Sequence, residues 1–453
     1  MGRRPTVGRE ILGLVIVVRI HTSQPNLQIM KNIVAIILAA GEGRRMKSSM
    51  PKVLHPICGK PMIQYTIDNL KQIGLQKIVV VVGHKSDLVR EQVKGVEFVL
   101  QDRLLGTGDA VLRAKKLISQ YKNVDSLFIA CGDVPLITSE TLRKIIARHL
   151  ASRSGCTLLT AHMKNPTGYG RIVSSGDEKI TKIVEELDAS IYEKVIEEIN
   201  VGLYCFNKDV LFDALEKIKP DNRKSEYYLT DTIEIIAKSN KLVDSVSTNN
   251  AEEFLGVNTR GDLIKVEEIL KSRLMDNIMK RGVTIIDPAN TYIEDGIEIA
   301  KDTVIYPYTF IEKGVKIGAR CNIGPFARLR VGTVVAPDVA IGNFVEIVRS
   351  KIGSHTRIHH QCYIGDTTIG KNVNIGAGTI VANYDGKKKN KTVIDDNAFI
   401  GTGTILVAPV KVGKGAVTGS GAVVTKNKNV PAGGTVVGIP ARPIKKKAGR
   451  KER

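Results

Sequence analysis

Residues 355–366 read HTRIHHQCYIGD and hold three of the chain's eight histidines, His355, His359 and His360, with Cys362 two positions further on. An imidazole titrates near neutrality and can act as a general base, while a His/Cys cluster can also ligate a metal. A second stretch, LAAGEGRRMKSSMPK at 38–52, turns through Gly41 and Gly43 and then presents Arg44, Arg45, Lys47 and Lys52. Backbone N–H groups of a glycine turn can approach a polyphosphate closely, because no Cβ intervenes, and Arg and Lys neutralise its charge. What each stretch does depends on the elements that carry it.

From Lys31 to about Asn258, nearly continuous apolar runs, IVAIILA (33–39), KIVVVVG (77–83), VEFVLQ (96–101) and SLFIACGD (126–133), alternate with helical segments such as 107–119. That alternation predicts a doubly wound, mostly parallel sheet whose ligands sit at the carboxyl ends of the strands. Leu263, Val266, Leu270, Leu274 and Ile278 then recur at three- and four-residue spacing. They predict one connecting amphipathic helix that ends before Gly282.

Beyond that helix the period becomes six. Ile293, Ile299, Ile305, Ile311, Ile317, Ile323, Leu329, Val335, Ile341 and Ile347 follow without a slip. After a shortening come Ile352, Ile358, Ile364, Ile369, Ile375 and Val381, and past a loop Ile394, Ile400, Leu406, Val412, Thr418 and Val424. Four residues after most anchors stands a small or β-branched residue, such as Thr303, Cys321, Ala327, Cys362 or Thr368. One large and one small inward position per six residues suits a triangular prism with a strand on each side.

On this grid the histidine cluster divides. Ile358 and Cys362 point inward, His359 and His360 fall around an outward turn, and His355 belongs to the preceding hexad. A helical His-x-x-x-His zinc site is excluded, since the segment is not helical and Cys362 faces away from the imidazoles.

Composition bounds the rest. A chain of 453 residues is long enough for two or three domains. Lys and Arg exceed Asp and Glu by 67 − 46 = 21, which favours anionic partners. Without aromatic stacking motifs, a nucleic-acid scaffold is not expected. Six cysteines without a CxxC pair fit neither a disulfide framework nor a zinc ribbon and suit a reducing cytoplasm. The apolar run ILGLVIVV at 11–18 is too short to span a bilayer, so no membrane role is expected. Residues 1–30 read as an extension, with Met30 as the expected start, and 443–453 as a basic tail.

The spacing L-x-x-G-x-G-x-R-M followed by P-K matches the signature of the sugar-phosphate nucleotidyltransferases. LQDRLLGTGDA (100–110), CGDVPLI (131–137), PTGYGRI (166–172), IVEELDA (183–189), EINVGLY (198–204), SEYYLTD (225–231) and GVNTR (256–260) extend the match in order. The hexads resemble the left-handed β-helix of hexapeptide-repeat acyltransferases, with about seven coils. Together they resemble the bifunctional N-acetylglucosamine-1-phosphate uridyltransferase / glucosamine-1-phosphate N-acetyltransferase family over roughly residues 31–430.

The resemblance implies an α/β chain with a Rossmann-like nucleotidyltransferase domain (31–258), a linker helix (259–282) and a left-handed parallel β-helix (283–442). It implies a cytoplasmic homotrimer using UTP, acetyl-CoA and Mg²⁺. Leu38, Ala39, Gly41, Lys52, Gln101, Gly106, Thr107, Asp133, Gly170, Glu185, Asn200 and Asn258 would hold the nucleotide and sugar. Asp133 and Asn258 would hold the metal, while Arg45 and Lys52 act on the phosphates. For Asp133 a helix cap for the segment from Thr138, and for Glu185 a solvated acid, stay open. HQCY implies His360 as the acetyl-transfer base, with Glu346 to orient it. Arg330, Tyr363, Asn374 and Lys389 would hold glucosamine 1-phosphate, and Ala377, Asn383, Tyr384, Thr402 and Ser420 acetyl-CoA, unless the loop at 382–392 is a solvated insertion. Leu187 and Val348 stand where the family usually has Lys. A chain with nucleotidyltransfer alone, its β-helix a trimerisation scaffold, is the alternative.

Overall fold

The computed structural model describes residues 30–444; the expected extension apart from Met30, and the expected tail from Lys445 onward, lie outside the described residues. The described chain divides into two compact units, 30–41 with 67–131 and 137–251, and 42–66 with 132–136 and 252–444.

The first unit is built on a sheet with strand order Val243–Thr248, Cys156–His162, Glu198–Asn207, Ser126–Cys131, Ile33–Ala39, Ile78–Val82, Glu97–Leu100. The four strands at the Glu97–Leu100 end pair parallel. Ile33 to Ile37 and Val79 to Val82 are at most 1% exposed, as expected of strands covered on both faces. Glu198–Asn207 runs antiparallel to both neighbours, and its register shifts between Asn200 and Tyr204. That bulge re-aims Asn200. A hairpin of Gly170–Ser174 and Ile180–Val184 hangs from the same strand.

In the second unit the helix Arg260–Met279 buries Leu263 and Val266 in a small core with Met46, Ile57, Met62 and Val257. Its far end buries Met275 and Ile278 against the first rungs of the prism. The prism has three parallel faces, with nine, eight and seven parallel rungs beginning at Thr284–Ile285, Tyr292–Ile293 and Glu298–Ile299. None of the twenty-two hexad anchors is more than 6% exposed. Threonines in the small inward slots bond to coil carbonyls, Thr303 Oγ1 to Gly318 O at 2.8 Å and Thr356 Oγ1 to Gly370 O at 2.9 Å. A polar residue is thereby satisfied in an aliphatic core.

Thr368 corrects one expectation. The step from Ile364 to Ile369 is five residues, so the inward slot falls one place earlier, on buried Thr367, and Thr368 is exposed. The glycines that follow many anchors also gain a reason. A Cβ on Gly342 would lie 2.1 Å from the His359 carbonyl of the next coil, so the coils stack closely only where that Cβ is absent.

Candidate active sites

The glycine turn of the second unit is shaped by Gly43, which has φ +65° and whose Cβ would sit 2.7 Å from the Lys52 Cβ. It starts the short helix Arg44–Met46, whose Met46 is buried as an anchor while Arg45 stays exposed. Asn258 is fixed from the other side by the start of the helix Arg260–Met279. The Asp262 carboxylate accepts from the backbone N–H of Thr259 (2.8 Å) and of Asn258 (3.1 Å), and the Thr259 hydroxyl accepts from the Asp262 N–H.

Asn258 Oδ1 then accepts from Arg45 Nη2 at 2.8 Å and from Lys52 Nζ at 3.3 Å, while Lys52 Nζ also donates to Asp133 Oδ2. Asp133 is set by its own carbonyl, which accepts the Val257 N–H at 2.9 Å. A carboxylate oxygen and an amide oxygen thus converge on one ammonium. They are a hard-oxygen pair of the kind that holds Mg²⁺ when substrate phosphates complete its shell, so these residues fit the expected metal. The helix Ser139–Ser152 is capped by Thr138, whose hydroxyl accepts the Thr141 N–H, so Asp133 is not that cap. Arg44, also expected at the phosphates, pairs with Glu42.

In the first unit Leu38 and Ala39 end their strand, and Gly41 follows, where an added Cβ would meet nothing within 4 Å. Gln101 follows the strand Glu97–Leu100 and is 4% exposed. Gly106 has φ +116°, and a Cβ there would meet the Tyr227 carbonyl oxygen at 2.5 Å. Thr107 begins a helix, and its hydroxyl accepts the Leu229 N–H at 2.9 Å.

Gly170 lies opposite Asn200 in the antiparallel pair, and a Cβ on it would lie 3.6 Å from Asn200 Cβ and 3.7 Å from Glu185 Oε1. These three expected sugar residues converge. Asn200 is held by its amide, which donates to Tyr204 at 2.7 Å and accepts from the Gly202 N–H at 3.1 Å. Glu185 is half-buried, accepts from Thr230 Oγ1 at 3.0 Å, and has its carboxyl pushed up by burial. The solvated reading of Glu185 is therefore wrong.

Beside it, burial together with the Glu185, Asp188 and Glu234 carboxylates raises the Asp231 carboxyl to about 6. A carboxyl that holds its proton more tightly when folded adds stability that is fully present below about pH 4 and is lost as pH rises through about 6. Asp231→Asn is expected to melt at a higher temperature than the native chain at pH 7.5, the gap closing toward pH 4. Melts across that range check this, and coincident curves at pH 7.5 would refute it.

On the prism, His360 ends the strand Arg357–His360 with its side chain exposed. Its carbonyl is held by the Gly378 N–H (3.1 Å) and Cys362 Sγ (3.0 Å). Cys362 is 3% exposed and points into the core. Ladder register places His360, Ala377, Thr402 and Ser420 above one another on successive coils, with the Ala377 carbonyl accepting from Gly403 and that of Thr402 from Gly421. At about 4.8 Å per coil the column runs roughly 14 Å from the imidazole. The next position on each coil is Gln361, Gly378, Gly403 and Gly421, so a glycine strip flanks it.

Tyr363 and Asn383 converge over Gly365, where a Cβ would lie 2.9 Å from the Tyr363 hydroxyl and 2.5 Å from Asn383 Nδ2. Asn383 is 6% exposed and donates to Asp366, whereas Tyr384 and Lys389 are exposed and bridge each other in the loop. The loop is exposed from Tyr384 to Lys389 and is held in shape by its own turn. Asp385 Oδ1 accepts the N–H groups of Lys387 (3.1 Å) and Lys388 (2.9 Å). Asn374 sits on a different prism face from Tyr363.

Glu346 does not orient His360: it accepts from Arg330 Nη1 at 2.8 Å, and Glu312 also faces that guanidinium at 3.5 Å. Val348 is 1% exposed, and Arg349 is tied to Asp366 by two bonds of 2.7 and 2.8 Å, so neither offers a free cation in place of the usual Lys. The Arg349 guanidinium, with help from Asn383 and Lys389, holds the Asp366 carboxyl below its usual range. Asp366 gathers more expected residues than any motif suggested. In the sequence it is marked by its place after Gly365 at the end of HTRIHHQCYIGD, and in the structure it takes φ +53°. Among the described residues no group of three or more His, Cys, Asp or Glu could hold a metal.

Residues 34–252 match the nucleotidyl transferase family, and 296–331, 349–383 and 391–426 match the bacterial transferase hexapeptide repeat. The bifunctional protein GlmU of Acetivibrio thermocellus is 42% identical over 432 residues, covering 88% of this chain and 93% of that protein. The chain belongs to the GlmU family of bifunctional proteins. GlmU of Clostridium perfringens SM101 is 43% identical over 438 residues, covering 89% of this chain and 95% of the relative. These GlmU relatives span both the sheet unit and the hexad prism.

Proposed function

We propose that the chain makes UDP-N-acetylglucosamine in two steps, acetylating glucosamine 1-phosphate on the β-helix (283–442) and then uridylylating the product in the nucleotidyltransferase domain (31–258), with 259–282 as linker. The family membership over both halves favours two activities over nucleotidyltransfer alone. The observation that carries the reading is that one chain pairs an oxygen-flanked lysine, Lys52 between Asp133 and Asn258, with a base, His360, heading a column of small residues.

In the first step the 2-amino group attacks the thioester carbonyl, His360 takes the amine proton, and the coenzyme A thiolate leaves to be protonated. Ala377, Thr402 and Ser420, with Asn383 and Tyr384, line the acetyl-CoA groove. Arg330, Tyr363, Asn374 and Lys389 hold the sugar phosphate. In the second step a phosphate oxygen of N-acetylglucosamine 1-phosphate attacks the α-phosphorus of UTP and pyrophosphate leaves. Leu38, Ala39 and Gly41 line the nucleotide; Gln101, Gly106 and Thr107 read the uracil; Gly170, Glu185 and Asn200 hold the sugar. Arg45 and Lys52 neutralise phosphate oxygens, so that two anions can meet. Mg²⁺ held by Asp133 and Asn258 would supply further positive charge to the phosphates. Six free cysteines, five of them buried, suit a reducing cytoplasm. The stiff prism suits a side-by-side homotrimer, and sedimentation as a monomer would exclude that assembly.

Purified protein given acetyl-CoA and glucosamine 1-phosphate is expected to release free thiol, and with UTP added, pyrophosphate. Pyrophosphate from N-acetylglucosamine 1-phosphate without any thiol release would reduce the β-helix to a scaffold.

A further inference from the structure

A side-chain amide has one acceptor oxygen and two donor hydrogens and can turn over, so a lone glutamine accepts either a donor or an acceptor edge of a base. Gln101 has no such freedom. Its Nε2 donates to Asp109 Oδ2 at 2.8 Å and to the Gly106 carbonyl at 3.0 Å, so both hydrogens are used. Its Oε1 accepts no hydrogen bond from the described residues. Turning the amide over would set Oε1 against a carboxylate and a carbonyl, neither of which can donate.

Both partners are themselves fixed. Asp109 is 8% exposed, and its Oδ1 accepts from Arg113 Nε at 3.1 Å, one helical turn on. Gly106 is confined by φ +116° and by the Tyr227 backbone, and its carbonyl also accepts the Ala110 N–H at 3.2 Å. Gln101 is anchored through its own N–H to the Val82 carbonyl at 2.8 Å.

Resting on the reading that Gln101 faces the nucleobase, we propose that Asp109 is a positioning residue that locks the Gln101 amide with Oε1 outward, so that the site demands a base offering an N–H donor. Uracil offers N3–H. Cytosine offers a bare N3 at the same position, and its lone pair would face that of Oε1.

The test measures kcat/KM for UTP and for CTP, by pyrophosphate release with N-acetylglucosamine 1-phosphate, in the native chain, Asp109→Asn, Gln101→Ala and the double variant. Asn at 109 can either accept or donate, which removes the charged one of the two acceptors that oppose a turned amide and leaves only the Gly106 carbonyl. The UTP/CTP ratio is expected to fall about tenfold or more in Asp109→Asn, chiefly through better CTP use, and to change less than about twofold when the same substitution is made on Gln101→Ala. A general loss of structure would lower both nucleotides together and leave the ratio in place. An unchanged ratio in Asp109→Asn, or an equal fall in the Gln101→Ala background, overturns the lock while leaving uridylyl transfer intact. A native chain that forms no pyrophosphate from UTP overturns the underlying reading, and the lock with it. Should Asp109→Asn not accumulate as folded protein, Asp109→Ser puts a hydroxyl that can donate or accept in place of the acceptor-only carboxylate. Its UTP/CTP ratio is expected to narrow, and an unchanged ratio counts against the lock.

Discussion

His360→Ala is expected to lower thiol release from acetyl-CoA and glucosamine 1-phosphate by about 10²–10⁴-fold, the usual contribution of a positioned general base. Pyrophosphate formation from UTP and N-acetylglucosamine 1-phosphate should stay at the native rate. The expectation rests on where the imidazole stands. It heads the column that continues through Ala377, Thr402 and Ser420, and its backbone is clamped from two sides by Gly378 and Cys362. His359, its ring centroid 5.8 Å away, is exposed one position earlier on the strand. His359→Ala is expected to change thiol release less than about threefold, as a surface substitution away from the reacting atoms. An equal loss in the two variants would overturn the assignment of His360. The imidazole lacks the carboxylate orienter that was expected, because Glu346 is taken by Arg330. Glu346→Gln should therefore act on the KM for the amino sugar through Arg330 rather than on the pH profile of turnover.

Asp133→Asn is expected to cut pyrophosphate formation by about 10²–10³-fold, with thiol release unchanged, and to move the Mg²⁺ requirement to higher concentration. The substitution keeps the shape and removes the charge. Lys52 and Asp133 are only 17% and 22% exposed, so the ammonium would lose the carboxylate it pairs with in a partly dry place and keep the neutral Asn258 oxygen. Titrating activity against Mg²⁺ in both proteins checks this. A native Mg²⁺ midpoint in Asp133→Asn would remove Asp133 from the metal's ligands. The same ion pair bears on stability, where loss of one partner should cost about 1 kcal/mol, read from denaturant melts.

Much of the fold was legible because its signals are local. The hexad period alone assigns every inward anchor, since side-chain direction on a short strand follows from spacing. The same grid correctly sends Cys362 inward and His360 outward. It misplaces Thr368 because a five-residue step moves the small slot by one, and only the stacked coils reveal which of two adjacent threonines is enclosed. In the sheet unit the apolar runs locate the parallel strands to within a residue or two. The antiparallel course of Glu198–Asn207 and its bulge at Asn200 carry no comparable periodic mark.

Residue types at each turn can be read from the chain alone: glycines and cations after the first strand, an acid past Cys131, a histidine outside a hexad. Which of them meet follows from folding. Lys52 reaches Asp133 and Asn258 across separations of 81 and 206 residues. Glu346 goes to Arg330 one coil away rather than to His360, Arg349 to Asp366, and the Gln101 amide to Asp109. Local spacing fixes the direction of a side chain, whereas its partner depends on coil stacking and loop closure, and a charge with several neighbours within reach settles on the one that register brings to hydrogen-bond distance.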